Sequence, residues 1–206
     1  MNEKEHIEPD YYLTIQDTSR AEIKIKGSRF IGTISPVVDK ANAEQILIEI
    51  RKEFHNATHN CFAYRINAQE FRYSDDGEPS GTAGRPVLSM IDKHQLQRTV
   101  LVVTRYFGGT KLGTGGLIRA YSQSAESVIF QANISKKYNY IKLTIEYPFE
   151  MVSKVQQLRH RYHARIKETA TTGGMKGHLE ILPSKIAAFK KELLAYGTGK
   201  VQIKNP

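Results

Sequence analysis

The stretch Arg105-Tyr106-Phe107-Gly108-Gly109-Thr110-Lys111-Leu112-Gly113-Thr114-Gly115-Gly116-Leu117 has the composition of an anion cradle. It follows the apolar run Val100-Leu101-Val102-Val103 and leads into an amphipathic stretch, which reads as strand, glycine loop, helix. A helix start offers free N–H groups and the positive end of a dipole. The amides of Gly108, Gly109, Gly113, Gly115 and Gly116, with Lys111 and Arg119, could therefore hold a phosphate. The spacing matches neither the Walker pattern nor the dinucleotide-binding one. The alternative is a tight connection in which glycine permits close packing. Upstream, Ser74-Asp75-Asp76-Gly77-Glu78-Pro79-Ser80-Gly81 sets three carboxylates within four residues. They read either as turn and capping chemistry or as hard oxygen ligands for Mg²⁺. Pro79 and the lack of EF-hand spacing weigh against the metal, and no metal site is assigned. His59 and Cys61, two apart on a strand, face one side. They invite a Cys–His nucleophile, or else a small buried hydrophobe beside a hydrogen-bonded imidazole. The catalytic candidates are thus His59, Cys61, Asp75, Asp76, Glu78 and Arg105, with Arg105 alternatively an ion-pair partner for Asp75 or Asp76.

A different chemistry is written in the last third. The formal net charge is +9 over 206 residues. Residues 1–135 carry 16 basic and 16 acidic side chains, and residues 136–206 carry the remaining 14 and 5. Such asymmetry is what a nucleic-acid contact requires. The run Arg159-His160-Arg161-Tyr162-His163-Ala164-Arg165-Ile166-Lys167 concentrates it, although a solvated helix end and a guarded edge strand would look similar. Candidate nucleic-acid contacts are Lys142, Arg159, Arg161, His163, Arg165, Lys167, Lys200 and Lys204. Met175-Lys176-Gly177-His178-Leu179-Glu180-Ile181 lacks the stacking aromatics of an RNA-recognition motif, so phosphate or structured-RNA contact fits better.

The elements that must position these groups follow from periodicity. Residues 1–19 read as an irregular lead-in. Glu22–Lys26 and Phe30–Ile34 form a hairpin around Gly27-Ser28, and Ala43, Ile46, Leu47, Ile50 and Phe54 mark a helix capped by Asp39 or Asn42. Asn60–Ile66 and Phe71–Tyr73 are strands, and Val87, Leu88 and Ile91 lie on a short helix. After the glycine loop, Ile118, Tyr121, Ala125, Val128 and Ile129 make a buried stripe ending near Asn133. Beyond it the order is β-α-β-β-α-β, the ferredoxin-like arrangement, with a hairpin at Gly173-Gly174. Two helices on one side leave one sheet face open. Out of phase with the apolar positions, it carries Lys142, His163, Arg165, Lys167, His178, Lys200 and Lys204, with Glu146 and Glu180 as exceptions. The reading is α+β in two domains, 1–135 and 136–206.

Hydrophobic residues at 40% and charged residues at 25% suit a soluble globular protein. No apolar run is long enough to span a bilayer, and the first residues lack a secretory pattern. Cys61 stands alone, which excludes an internal disulfide and an all-cysteine zinc site. A cytoplasmic location, no membrane contact and no cofactor are expected.

Three segments in order, His59-Asn60-Cys61-Phe62-Ala63-Tyr64, Ser74–Gly84 and Arg105–Gly113, resemble the IMPACT/YigZ family. The resemblance spans the chain. It implies an N-terminal domain similar to the second domain of a small-subunit ribosomal protein and to elongation factor G domain IV. It also implies a C-terminal ferredoxin-like domain similar to elongation factor G domain V. Eukaryotic members regulate translation by competing for the activator of an amino-acid-starvation kinase. They carry another N-terminal domain without counterpart in this sequence, so that partner is not carried over. The resemblance gives function by analogy only. The expected function is RNA or ribosome binding that modulates translation. The alternatives are an enzyme of hydrolase or phosphoryl-transfer type acting on a phosphorylated or nucleotide-like ligand, and a module binding a regulatory protein.

Overall fold

Val100–Val103 is apolar at every position because the strand that holds it is covered on both faces. The computed structural model describes residues 9–204, so part of the expected lead-in, residues 1–8, lies outside the described residues. The elements run β1 (Tyr11–Ile15), β2 (Ser19–Ile25), β3 (Ser28–Pro36), α1 (Lys40–Glu53), β4 (His59–Arg65), β5 (Phe71–Ser74), α2 (Gly84–Lys93), β6 (Thr99–Tyr106) and α3 (Gly113–Gln131). They continue with β7 (Ile134–Tyr138), β8 (Ile141–Tyr147), α4 (Val152–Tyr162), β9 (Arg165–Thr171), β10 (Gly174–Ile181), α5 (Pro183–Gly197) and β11 (Gln202–Lys204). This is a mixed α+β chain with five α-helices among the described residues and antiparallel sheets. It divides into two units. One is Tyr12–Lys137; the other runs from Tyr138 onward and includes Asp10 and Tyr11.

In the first unit the sheet order is β2-β3-β6-β4-β5, with every neighbouring pair antiparallel. Alternate side chains of the central strands go to opposite layers. Phe62, Tyr64, Val100 and Val102 pack on α1 through Ala43, Leu47 and Ile50. Cys61, Ala63, Leu101 and Val103 pack on α2 and α3 through Val87, Ile91, Tyr121 and Ala125. Asp39 caps α1 as expected, accepting the Asn42 N–H at 2.8 Å. Gly32 of β3 lets α3 approach: a Cβ there would lie 2.9 Å from the Ser124 carbonyl oxygen.

Two expectations need correction here. The lead-in is not irregular throughout, because Tyr11–Ile15 is a strand paired with β7 in a two-stranded sheet. Its partner lies over a hundred residues away, so no local pattern announces it. On α3, Ile118 is exposed at 42%, and Leu117 takes its place in the buried stripe. The glycines ahead of the helix give no apolar neighbour to fix its phase.

In the second unit the sheet order is β11-β8-β10-β9, antiparallel throughout. Leu143, Ile145, Leu179 and Ile181 meet Val155 and Leu158 of α4 and Phe189 and Leu193 of α5. Helix α5 begins at Pro183, which suits a first-turn position, and Leu182 before it has no side chain able to cap. Asp10 supplies the cap from the far end of the sequence. Its carboxylate accepts the Ser184 N–H at 2.8 Å and the Ser184 hydroxyl at 2.7 Å.

Candidate functional site

The segments that carry the family resemblance meet at the end of β6. Arg105 is buried there, and its Nη1 donates to Glu78 Oε1 at 2.5 Å; Glu78 is also buried. The Tyr121 hydroxyl of α3 donates to the same oxygen at 2.8 Å. His59 Nε2 stands 3.9 Å from it, too far for a hydrogen bond. Its Nδ1 lies 2.8 Å from the Asp76 carbonyl oxygen, which only accepts, so Nδ1 carries the proton. Arg105 Nη2 also reaches the Ser28 hydroxyl at 3.4 Å, and Arg105 Nε is buried without a partner.

The other two carboxylates have different work. Asp75 Oδ1 accepts the N–H groups of Ala83 and Gly84 at 3.0 and 2.8 Å, and Oδ2 accepts that of Gly81 at 2.9 Å. It therefore caps the start of α2 from outside the helix. Asp76 accepts the Asn60 N–H at 2.7 Å and pairs with Arg51 at 3.2 Å. Arg105 thus pairs with Glu78 and with neither aspartate, because Asp75 is turned to α2 and Asp76 to β4. Among the described residues no three His, Cys, Asp or Glu side chains are grouped as metal ligands.

Cys61 and His59 do not form a nucleophile pair. The Cys61 thiol lies 3.0 Å from the Asp75 carbonyl oxygen and 3.3 Å from the Tyr121 hydroxyl, fully buried in the α2/α3 layer. Burial pushes its pKa up to about 12, with the nearby Glu78, Asp76 and Asp75 acting in the same direction. A thiol so placed is not the thiolate that nucleophilic catalysis needs. Burial likewise raises the Tyr121 phenol, Cys61 and Glu78 adding to the effect.

The glycine loop splits into a packed start and an open remainder. A Cβ on Gly108 would lie 1.9 Å from the Gly27 carbonyl carbon, and the Gly108 amide donates to Ser28 Oγ at 3.1 Å. Gly108 therefore serves the contact with the β2–β3 turn, and its N–H is not available to an anion. Gly109 and Gly113 have open space where a Cβ would go, and Gly115 meets only the Arg119 guanidinium at 3.8 Å. Gly116 packs on Leu112, and Lys111 and Arg119 are exposed. No side chain caps the start of α3.

The basic residues of the second unit divide by element. Register places Lys142, Arg165, Lys167 and Lys204 on the uncovered sheet face, with His178 and Lys176. Glu146 and Glu180 stand among them: Lys204 meets Glu146 at 3.0 Å, and Lys142 and Arg165 both approach Glu180 at 4.0 Å. Arg165 also lies 4.5 Å from the Tyr140 ring centroid. A depression of about 490 Å³ on this face is lined by Lys142, Arg165, Lys167, His178 and Glu180 together with Thr144. Lys200 precedes β11 and pairs with Glu150 at 2.9 Å. Arg159 and Arg161 belong to α4, with Arg161 held by Glu192 at 2.7 Å. His163 is not on the sheet; it ends α4 in the left-handed conformation, φ 51°.

Lys176, Ser28 and Tyr121 have polar roles that the sequence reading did not assign. Lys176 shares the parity of His178 and was legible; Gly174 and Gly177 around it break the strand pattern. Ser28 reads as a turn residue, and Tyr121 as part of an apolar stripe.

Residues 26–129 match the Impact N-terminal domain. The chain is 34% identical over 195 residues to the IMPACT family member YvyE of Bacillus subtilis, covering 94% of this chain and 90% of that protein. It is 33% identical over 198 residues to an IMPACT family member of Haemophilus influenzae, covering 93% and 95%. A crystal structure described as that of a hypothetical protein has the same fold, with TM-score 0.68, 26% identity and coverage of 96% and 98%. With that domain covering just over half of this chain and these relatives matched nearly end to end, the chain belongs to the IMPACT family.

Proposed function

We propose that this IMPACT family member binds RNA, as structured RNA or on the ribosome, and thereby modulates translation in the cytoplasm. One observation carries the reading. The uncovered face of the β11-β8-β10-β9 sheet holds Lys142, Arg165, Lys167, Lys176, Lys204 and His178 against Glu146 and Glu180. Five Lys/Arg against two Glu leaves an excess of three charges on one surface. Lys167 and Lys176 make no ion pair among the described residues. The ferredoxin-like strand order and the family's likeness to elongation factor G domains IV and V support a translational setting by analogy.

An enzyme site among His59, Asp75, Asp76, Glu78 and Arg105 has less support, since each carboxylate is engaged by its own unit. Lys111, Arg119 and the open glycines offer the RNA a second contact.

Neutralising about three phosphates gives a salt slope near −2.7, so affinity should fall about 40-fold between 50 and 200 mM salt. Binding of ribosomal RNA and intact subunits is measured across that range for the wild type and for the triple variant Arg165→Gln, Lys167→Gln, Lys176→Gln. The variant should lose affinity and most of the slope. Equal binding by both would remove the sheet face from the account, and nuclease-resistant capture of a protein would replace RNA by a regulatory partner.

A further inference from the structure

The last turn of α4 carries Arg159, His160 and Arg161, His163 follows as its C-cap, and β9 opens on Arg165. These side chains are not equivalent. The Arg161 guanidinium is taken by Glu192. That of Arg159 meets only the His160 ring, at 3.5 Å, among the described residues. Arg165 is stacked on Tyr140, and its carboxylate neighbour, Glu180, is 4.0 Å away and shared with Lys142. Arg159, His160, His163 and Arg165 line a concavity of about 460 Å³, and no carboxylate is in its lining.

The ordinary explanation for basic residues here is the negative end of the helix dipole. In this turn the backbone already answers it. The His163 N–H donates to the His160 carbonyl at 3.3 Å, and the Ala164 N–H donates to that of Arg159 at 3.0 Å. This closure normally places Gly or Asn at the left-handed position. A histidine stands there instead, one of the non-glycine residues that adopt this conformation more readily, and it lines the concavity. Arg159, which has no carboxylate partner among the described residues, and Arg165, whose Glu180 stands 4.0 Å away, line one hollow that an anion would suit. A guanidinium presents its N–H groups as a fork that matches phosphate oxygens.

We propose that the α4–β9 junction is a phosphate-binding subsite. Arg159 and Arg165 hold the phosphate, and His160 and His163 donate to it at the rim. The phosphate belongs to a free nucleotide or to the end of an RNA, and the subsite does not depend on the sheet face binding RNA. Arg165 borders both surfaces, so an RNA held on the sheet could place its terminus here.

Calorimetry on the full chain tests this with inorganic phosphate, a nucleoside 5′-monophosphate, and a short RNA with and without a 5′-phosphate. The variants are Arg159→Gln, His163→Asn, which keeps a residue tolerant of the left-handed turn, and Lys191→Gln, an exposed control on α5. Circular dichroism verifies that each is folded. Saturable binding of the monophosphate is expected, weakened about tenfold by Arg159→Gln, severalfold by His163→Asn, and unchanged by Lys191→Gln. A preference for 5′-phosphorylated RNA that Arg159→Gln abolishes assigns the site to RNA ends. Equal affinity for the free monophosphate and the phosphorylated RNA assigns it to the phosphate group alone. Absence of saturable binding by all four ligands overturns the proposal, as does an equal loss in Lys191→Gln and Arg159→Gln.

Discussion

Glu78, in the loop after β5, and Lys167, on β9, are both charged residues beside a β-sheet, yet their surroundings are opposite. Glu78 is enclosed, with Arg105, Tyr121 and His59 around one oxygen. Lys167 stands on an uncovered face with no ion pair among the described residues. The difference follows from layering. The first unit has helices on both sides of its sheet, so an ion near the strand ends must be matched from within or left at high cost. The second has helices on one side only, and water tolerates unmatched charge on the other. The family's most recognisable residues therefore hold the first unit together, while the second carries unmatched charge on an uncovered sheet face.

The comparison breaks first at Glu78. Glu78→Ala strands Arg105 in the interior and should destabilise the first unit by about 3–5 kcal/mol in urea unfolding. A loss below about 1 kcal/mol would mean that the pair is not what ties the acidic loop to β6. Next is the glycine loop. Gly108→Ala forces a methyl group into the Gly27 backbone and should cost about 1–3 kcal/mol. Gly115→Ala, in open space inside a helix, should instead stabilise by about 0.5–1 kcal/mol. Matching signs for the two would contradict the division of the loop into packed and open parts.

A smaller effect comes from Cys61. Burial pushes its pKa from an ordinary 9.0 up to about 12, so the fold keeps the thiol protonated where the unfolded chain has begun to ionise. This group's contribution is fully present below about pH 9 and is lost as pH rises toward 12. About 1 kcal/mol should be missing at pH 10 relative to a Cys61→Ala reference treated in the same way. Thiol labelling at neutral pH should proceed only through unfolding. The smallest effect is on the open face: Lys167→Gln and Lys176→Gln should each change stability by less than about 0.5 kcal/mol while lowering the salt slope of RNA binding by about 0.9. A large loss of stability there would erase the contrast between the units.

Much of this was legible in the sequence where the cause is local. Period-2 alternation at Ile141, Leu143 and Ile145, helical spacing at Ile186, Phe189 and Leu193, and the turn signal of Gly173-Gly174 were enough for the order of the second unit, although the loop itself is Thr172-Gly173 and Gly174 already opens β10. The partition of charge at residue 135 pointed to its uncovered face. What sequence could not show depends on contacts across the chain. β1 pairs with β7, whose Ser135-Lys136-Lys137 carries no strand-like apolar alternation. Arg105 had three acidic residues within reach, and only the turn that commits Asp75 to α2 and Asp76 to β4 leaves Glu78. His163 reads as strand because its neighbours do; the backbone closure of α4 overrides that pattern.

The Asp10 cap on α5 has a consequence for biosynthesis. A chain made from its N-terminus exposes Asp10 and Tyr11 well before Ser184, which lies 174 residues beyond Asp10. Tyr12–Lys137 contains its own core and can condense on the ribosome as soon as it is clear, since domains fold as units in order of synthesis. The residues just ahead of it must wait. The second unit is completed by a segment synthesised ahead of Tyr12–Lys137, so α5 receives its cap only after that whole stretch has been made.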